Sequence, residues 1–368
     1  MKNKNRLSII SIIVAGLVFV LIYGCKKEEE PVITVISGGN KHSMAVRSDG
    51  TLWAWGYNNE SQLGDGTTTD QNSPVQIGTD YMNISAGGSH SLAIKSDGTL
   101  WAWGANADGQ VGNGTLENST TPVQVGTDFK KISAGTAYSL ALSSDNSLYV
   151  WGDNNYYQLG DDTRTDKNTP VSSGYEFEKI SAGNMITLAL KDDGSLWTWG
   201  WDGQGVLGDG IDENNTTPVE IGSDYVALAS GYWHCLGLKA DGSLWAWGYN
   251  DYGQLGDGTN ITRTEPVQVG TGFMAIDAGW AHSLALRSDY TLWAWGYNAN
   301  GQLGDGTRLN QALPVMIGYN YNFISAGGMH SMAVKTDGTL WVWGDNSKGQ
   351  LGNGTTTNES VPVQITLP

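Results

Sequence analysis

Apolar and polar residues alternate over short runs along most of this chain, and the same arrangement returns every 48 residues. Residues 81–128 contain four such runs, which read "YMNISAG", "SLAIK", "TLWAW" and "PVQVG". Alternation over four to eight residues is typical of a half-buried β-strand. Between the second and third runs lies "SDGT", and Asp-Gly between alternating segments predicts a hairpin turn. One copy of the pattern therefore predicts four short strands.

The repeat continues from about residue 33 to the last residue without an insertion or a deletion. A glycine before the second strand recurs in every copy, at Gly39, Gly87, Gly135, Gly183, Gly231, Gly279 and Gly327. The seven copies are residues 33–80, 81–128, 129–176, 177–224, 225–272, 273–320 and 321–368. A four-stranded unit of this length, repeated seven times, fits the blade of a β-propeller. The sequence therefore predicts an all-β, seven-bladed β-propeller over residues 33–368.

A pair of aromatic residues marks the third strand of every copy. Tryptophan occupies all but one of these positions, and Tyr149 is the exception. Residues two apart on a strand point to the same face. We expect these large flat rings to fill the space between neighbouring blades. Sugar binding by the rings is the alternative, and it requires them to be exposed.

The copy "ISAGGSHSLAIKSDGTLWAWGANADGQVGNGT" resembles the RCC1 (regulator of chromosome condensation) repeat. Its marks are A-G-x-x-H-S-x-A, D-G, W-x-W-G, N-x-x-x-Q-L-G and G-T, followed by a strand that begins near a proline. The resemblance covers essentially all of residues 33–368 and implies a seven-bladed propeller. In that family a blade is usually completed by strands from both chain ends. We therefore expect residues 361–365 to pair near residues 34–37.

The N-terminus carries the features of a targeting segment. A basic start is followed by the apolar run "LSIISIIVAGLVFVLIYG" and then by Cys25. The sequence "LIYGC" resembles a bacterial lipobox, which implies a signal peptide over residues 1–24, lipid on Cys25 and a hydrophilic tether over residues 25–32. We expect an outer-membrane lipoprotein of the cell envelope, facing either the surface or the periplasm. An uncleaved membrane anchor is the alternative, because the apolar run is long enough to span a bilayer.

Composition and charge narrow the range of functions. The formal net charge is −17, and such a surface repels phosphate, so we expect no nucleic-acid partner. No nucleophile elbow, phosphate loop or paired metal-binding cysteines occur, and we predict a non-enzymatic monomer without a cofactor. Cys235 replaces a serine of the repeat, which favours a small buried side chain over a reactive thiol.

Two columns of polar residues are candidates for metal binding. All five histidines share one column, at His42, His90, His234, His282 and His330. We interpret them as donors or acceptors to a neighbouring backbone group rather than as metal ligands. Asp or Asn recurs at positions 65, 113, 161, 209, 257, 305 and 353. We interpret this column as turn-forming rather than calcium-binding, because the alternating EF-hand ligands are missing.

Departures from the repeat point to one end of the ring. The slots just before the histidine column and just after W-x-W-G should lie together, because the second strand runs away from this end and the third returns to it. The fourth to sixth copies place aromatic residues there. We name these seven residues the aromatic rim: Trp201, Tyr232, Trp233, Tyr249, Tyr252, Trp280 and Tyr297.

Aromatic clusters are enriched in binding hot spots, so the sequence favours a non-catalytic scaffold that binds a protein or a glycan through the aromatic rim. Packing of these rings within their own blades is the structural alternative. The resemblance also implies guanine-nucleotide exchange on a small GTPase as an alternative function. The founding member's exchange activity uses an inserted hairpin, which seven equal copies lack. A lectin that stacks the same rings on sugars is the third possibility.

Overall fold

The computed structural model describes residues 11–14, 17–20 and 31–368, which belong to two separate compact units. The first unit contains two short antiparallel strands, β1 (Ser11–Val14) and β2 (Leu17–Val20). Both strands fall within the predicted signal peptide, whereas Cys25 lies outside the described residues. Across the described part of the chain, no helix has the length and apolar character needed to cross a membrane.

The second unit consists of seven four-stranded antiparallel sheets, each built from one contiguous stretch of chain. The strands of blades 1 to 4 are β3 (Ile33–Gly38), β4 (His42–Arg47), β5 (Leu52–Gly56), β6 (Gln71–Gly78); β7 (Tyr81–Ala86), β8 (His90–Lys95), β9 (Leu100–Gly104), β10 (Ser119–Gly126); β11 (Phe129–Ala134), β12 (Tyr138–Ser143), β13 (Ser147–Gly152), β14 (Lys167–Glu176); β15 (Lys179–Ala182), β16 (Ile186–Leu190), β17 (Leu196–Gly200) and β18 (Asn215–Gly222). Those of blades 5 to 7 are β19 (Tyr225–Ser230), β20 (His234–Lys239), β21 (Leu244–Gly248), β22 (Arg263–Gly270); β23 (Phe273–Ala278), β24 (His282–Arg287), β25 (Leu292–Gly296), β26 (Gln311–Gly318); β27 (Tyr321–Ala326), β28 (His330–Lys335), β29 (Leu340–Gly344) and β30 (Glu359–Ile365). The predicted all-β, seven-bladed propeller is confirmed.

The turn between the second and third strands has the predicted chemistry. In blade 2, Gly98 adopts a φ of 79°, a left-handed conformation that glycine reaches without strain. The carboxylate of Asp97 accepts hydrogen bonds from the Thr99 amide at 3.0 Å and from its hydroxyl at 2.6 Å. These bonds lock the hairpin and set the register of β8 against β9.

The second tryptophan of each pair joins one blade to the one before it. All seven of these indoles are completely buried, and each donates a hydrogen bond of 2.8–3.0 Å to a backbone carbonyl in the preceding blade. In blade 2, the Trp103 ring lies against Gly64, where an added Cβ would come within 2.7 Å of the indole. The W-x-W-G and Q-L-G motifs therefore recur together because they fit each other across the gap between blades.

The first tryptophan of each pair is less buried. Trp101 is half-buried, and its indole nitrogen donates to the Thr99 hydroxyl at 2.9 Å. The ammonium group of Lys95 lies 4.7 Å from its ring centroid. Both rings contribute to the packing between blades, but the outer ring keeps one side toward solvent.

The expectation about the chain ends is wrong. Strand β30 pairs with β29, and β3 pairs with β4, so each terminal strand stays in its own blade. The reason is that each repeat supplies all four strands of its own blade, from the first strand, which lies beside the central channel, to the fourth at the outer edge. The last blade instead contacts the first through packing and loop hydrogen bonds: Ile365 and Leu367 pack with Ile33 in one hydrophobic cluster, and the Gly328 amide donates to the Gly39 carbonyl at 2.9 Å.

Candidate functional site

The histidine column links five of the seven blades to the blade that follows through a buried hydrogen bond. Every histidine Nε2 lies 2.8–3.0 Å from a serine hydroxyl of the following blade. The pairs are His42–Ser91, His90–Ser139, His234–Ser283, His282–Ser331 and His330–Ser43. Burial lowers the pKa of His90 to about 3, so the ring stays neutral. The structural interpretation is confirmed, with one correction: the partner is a hydroxyl, not a backbone group.

Blades 4 and 5 replace this polar pair with an apolar one. Ile186 stands in the histidine column, and Cys235 takes the place of the serine that would face it. Both residues are buried in the same hydrophobic cluster. Burial raises the pKa of the Cys235 thiol, which makes it a poor nucleophile. The prediction of a small, buried side chain at this position is confirmed.

The Asp and Asn column forms turns, as predicted. Asp65 is typical, because its Oδ1 accepts hydrogen bonds from the Thr67 amide at 2.9 Å and from the Thr67 hydroxyl at 2.8 Å. In the parts of the chain that the structure describes, no group of three or more His, Cys, Asp or Glu side chains is placed to hold a metal ion.

A buried amide stabilises the loop after the third strand in six of the seven blades. In blade 6 the Asn298 Oδ1 accepts the Leu303 amide at 3.0 Å, and its Nδ2 donates to Asp305 Oδ1 at 3.0 Å. The side chain needs both an acceptor and a donor to make these two bonds. Asparagine therefore satisfies both the backbone amide donor and the carboxylate acceptor of this loop.

Blade 4 departs from this arrangement in a way that the sequence-based site prediction missed. Asp202 replaces the asparagine, is only 1% exposed, and accepts the Leu207 amide at 2.9 Å through Oδ1. Its Oδ2 has no hydrogen-bond partner among the described residues. Burial, together with the nearby carboxylates of Asp209 and Asp212, raises the pKa of Asp202 to about 7. The signal was visible in the sequence as one acidic residue in a column of amides.

The two sets of slots that define the rim are joined by backbone hydrogen bonds. The amide of Tyr249 donates to the Trp233 carbonyl at 2.9 Å, and that of Tyr297 donates to the Ala281 carbonyl at 2.8 Å. The equivalent bond forms in every blade. The turn before the second strand and the end of the third strand therefore lie side by side, as the strand directions predicted.

Six residues of the aromatic rim form one continuous series of ring contacts. The order is Trp280, Tyr232, Trp233, Tyr249, Tyr252 and Tyr297. Centroids of successive rings are 4.9–6.0 Å apart, and each pair is tilted or T-shaped, which are favourable arrangements for aromatic pairs. Tyr252 and Trp233 are the most exposed, at 37% and 39%.

The structure places Trp201 apart from this series. Its indole covers Gly203, where an added Cβ would lie 1.8 Å from the ring, and it packs against the hydrophobic cluster between blades 4 and 5. Among the described residues, Trp201 has no ring contact with the other six members of the rim. The remaining members combine apolar surface with polar tips. Tyr249, for example, donates its hydroxyl to Asp251 at 2.8 Å.

The fold, the repeated W-x-W-G contact and the histidine–serine links define a seven-bladed propeller of the RCC1 class. The family model described as "RCC1-like domain" matches residues 78–368. Models of the regulator of chromosome condensation (RCC1) repeat match residues 49–94 and 33–62. The chain therefore belongs to the RCC1-like domain family.

Known proteins share this fold to different extents. The ultraviolet-B receptor UVR8 of Arabidopsis thaliana is 53% identical over 45 residues, which span 12% of this chain and 10% of the receptor. The crystal structure of human WBSCR16 is 23% identical, with a TM-score of 0.80, and the match covers 87% of this chain and 94% of that one. Prp20p of Saccharomyces cerevisiae is 23% identical, with a TM-score of 0.78 and coverages of 92% and 88%, and its structure was described together with binding to Gsp1p and histones. At these identities the two structures establish the fold.

Proposed function

We propose that this chain is a non-catalytic binding scaffold of the bacterial cell envelope, and that its aromatic rim recognises a protein or a glycan. The observation that carries the proposal is the unbroken series of six rings across blades 5 and 6. Trp and Tyr supply large contact area with few rotatable bonds, and they dominate measured binding hot spots. The equivalent slots of the other blades carry mostly small or polar residues.

The position of the rim favours recognition over structural packing. The second tryptophan of each pair is completely buried and already joins neighbouring blades. The rim residues lie beyond them, in the loops, and two of the six are more than one-third exposed. Their removal should therefore leave the ring intact, which allows binding to be tested separately from folding.

We expect the double substitution Tyr249→Ala with Tyr252→Ala to weaken partner binding about tenfold or more, because it removes two adjacent rings from within the series. Candidate partners are obtained by cross-linking to envelope extracts with mass spectrometry, and by glycan arrays. Dissociation constants are then measured on the purified partner by surface plasmon resonance. The array distinguishes a sugar ligand from a protein partner.

The matched control is Tyr57→Ala with Tyr156→Ala. These tyrosines occupy the same two slots of the repeat, but they belong to blades 1 and 3. The control variant should bind like the unmodified chain. Equal affinity of both variants would rule out the aromatic rim as the recognition surface.

We also propose that lipid on Cys25 anchors the chain to the outer membrane. The support is the lipobox-like sequence "LIYGC" after a basic start and an apolar run. Expression in a bacterial host with labelled palmitate should label the unmodified chain and not the Cys25→Ser variant. Cys235→Ser serves as the control and should keep the label. A labelled Cys25→Ser variant, or an unlabelled parent chain, would contradict the anchor.

A further inference from the structure

The inner strands of the seven blades surround a channel with a cavity of about 170 Å³. Its wall is built mainly from the Ser, Ala and Gly residues that end each inner strand. Among the described residues that line it, Asp277 is the only charged one. The wall therefore presents one carboxylate and no cationic side chain to balance it.

Asp277 occupies a position of the repeat at which five other blades carry serine, and the hydroxyl of that serine links one blade to the next. Five serines of this column each accept a backbone amide of the next blade at 2.9–3.0 Å. They are Ser37, Ser85, Ser133, Ser181 and Ser325. Asp277 makes the same link to the Ala326 amide at 2.7 Å through Oδ2.

The second oxygen of Asp277 compensates for a gap in the column. Blade 5 carries Ala229 where the other blades carry serine or Asp277, so it offers no side-chain acceptor to the Ala278 amide. Asp277 Oδ1 accepts that amide at 2.9 Å. The two amides and the Ser325 hydroxyl hold the carboxylate in place, but they leave its negative charge in the channel. A half-buried carboxylate whose partners are all neutral can pair with a cation through a charge-assisted hydrogen bond.

Two rings of the aromatic rim line the same channel as this carboxylate. Trp280 and Tyr232 both line the cavity, and their ring centroids are 5.3 Å apart. The Trp280 indole donates to Asn40 Oδ1 at 2.6 Å, which fixes the ring toward blade 1. Blade 7 lies between these two blades and carries Gly328 at the equivalent position, so no side chain separates the indole from Asn40.

We propose that the channel binds an alkylammonium group, which enters beside Trp280 and Tyr232 and pairs with the carboxylate of Asp277. Aromatic faces attract ammonium groups, and the small wall residues leave room for an unbranched carbon chain. A cavity of about 150 Å³ admits a molecule of benzene's size, so the channel can take a ligand as large as one side chain. The ammonium group belongs either to a lysine of a protein partner or to a free amine. The first source rests on the proposed function, and the second does not.

The test is calorimetric titration of the purified chain with n-butylammonium, with butan-1-ol as the uncharged control. We expect butylammonium to bind and to change tryptophan fluorescence, and we expect no binding of the alcohol. Asp277→Asn should reduce the affinity about tenfold or more, because the charged hydrogen bond is lost. Trp280→Gly, which restores the glycine of blades 2 and 7, should reduce it about threefold.

A relocated carboxylate separates loss of charge from loss of fold. Asp277→Ser restores the serine of the column and should lose binding. Adding Ser133→Asp to that variant returns one carboxylate to the same wall and should recover most of the affinity. Circular dichroism melting confirms that each variant is folded. Equal butylammonium binding by the parent chain and Asp277→Asn, or equal binding of the alcohol, would overturn the proposal, as would no binding to the parent chain.

The pH dependence of alkylammonium affinity tests the role of the same carboxylate independently. Burial raises the pKa of Asp277 to about 6, whereas an alkylammonium stays charged to about pH 10. Affinity should therefore fall as the pH drops below 6. The Tyr232 phenol is the other titratable group in the described lining of the channel.

Two further measurements identify the source of the amine and distinguish failure of the channel site from failure of the function proposed for the aromatic rim. A peptide Ac-Gly-Lys-Gly-NH₂ that binds more tightly than butylammonium favours a lysine of a partner, and the reverse order favours a free amine. Neither Tyr249 nor Tyr252 lines the channel. If their double substitution leaves partner capture unchanged while Asp277→Asn abolishes amine binding, the proposed function fails and the channel site stands.

Discussion

Trp103→Ala is expected to lower the free energy of unfolding by about 3–5 kcal/mol, the range measured for large-to-small changes at buried aromatic positions. The Trp103 side chain has no exposed surface, and its indole donates to the Gln62 carbonyl of blade 1 at 2.9 Å. Its removal leaves a cavity against Gly64, and the Gln62 carbonyl keeps only the hydrogen bond from the Ser91 hydroxyl at 2.8 Å. Guanidinium unfolding followed by far-ultraviolet circular dichroism measures the loss.

The neighbouring Trp101 provides the matched comparison. It is half-buried and bonds only to Thr99 of its own blade, so Trp101→Ala should cost about 1–2 kcal/mol. Trp101→Tyr should be close to neutral, because blade 3 already carries Tyr149 in this slot, in edge contact with Phe129 at 5.3 Å. Equal losses for Trp101→Ala and Trp103→Ala would contradict the different roles assigned to the two rings.

Asp202→Asn is expected to stabilise the protein by about 2–4 kcal/mol at pH 8, since a rise in pKa from 3.8 to about 7 on folding corresponds to roughly 4 kcal/mol. The substitution restores the amide found in the other six blades, and its Nδ2 can donate to Asp209. The pKa of Asp202 rises from 3.8 to about 7 on folding. The folded state therefore binds the proton more tightly than the unfolded state, and this carboxyl destabilises the protein progressively as the pH rises from about 4 to about 7.

The stabilisation should follow the same pH window. Below about pH 4 the acid is protonated in both states, so the parent chain and Asp202→Asn should have nearly equal stability. Above about pH 7 the difference should reach its full size. Thermal and guanidinium unfolding at a series of pH values measures both limits. A difference that does not change with pH would show that Asp202 is not the group that titrates.

The reverse substitution tests the same explanation in another blade. Asn298→Asp places a carboxylate against Asp305, which Asn298 now bonds at 3.0 Å. This variant should lose stability by a similar amount at pH 8 and should gain the pH dependence that Asp202→Asn loses. Unchanged stability of Asn298→Asp at pH 8 would argue against electrostatic repulsion within this loop.

The sequence was sufficient to predict that the positions before the second strand and after the third strand lie together at the rim. It did not show how the rim residues contact one another. Alternation of apolar residues and the Asp-Gly turn determine the strand directions, and those directions place Trp233 beside Tyr249. Whether Trp201 joins the rim depends on the rotamer of one indole. In the structure, Gly203 leaves space beneath that ring, and the side chain folds onto its own blade.

The roles of the repeated polar residues divide in the same way. A column that carries histidine in five of seven equal copies indicates a structural role, because the same contact between blades recurs around the ring. Its partner could not be predicted, since each histidine bonds a serine that is 49 residues later in the chain, or, for His330, at the other end of it. Contacts between blades depend on the angle at which the sheets pack, which no single copy encodes.

The amino-acid sequence by itself determined the class of fold, the number of blades and the strands within each blade, because strand formation and hairpin turns depend on residues that are close in the chain. Only the tertiary structure decided how the ring closes and which tryptophan of each pair is fully buried. It also showed that Asp277 faces a channel and that, among the described residues, the Asp202 Oδ2 has no hydrogen-bond partner. Those features depend on residues from different blades that meet only when the circle is complete. Burial and the loss of solvent then set the charge and the hydrogen bonds of each group.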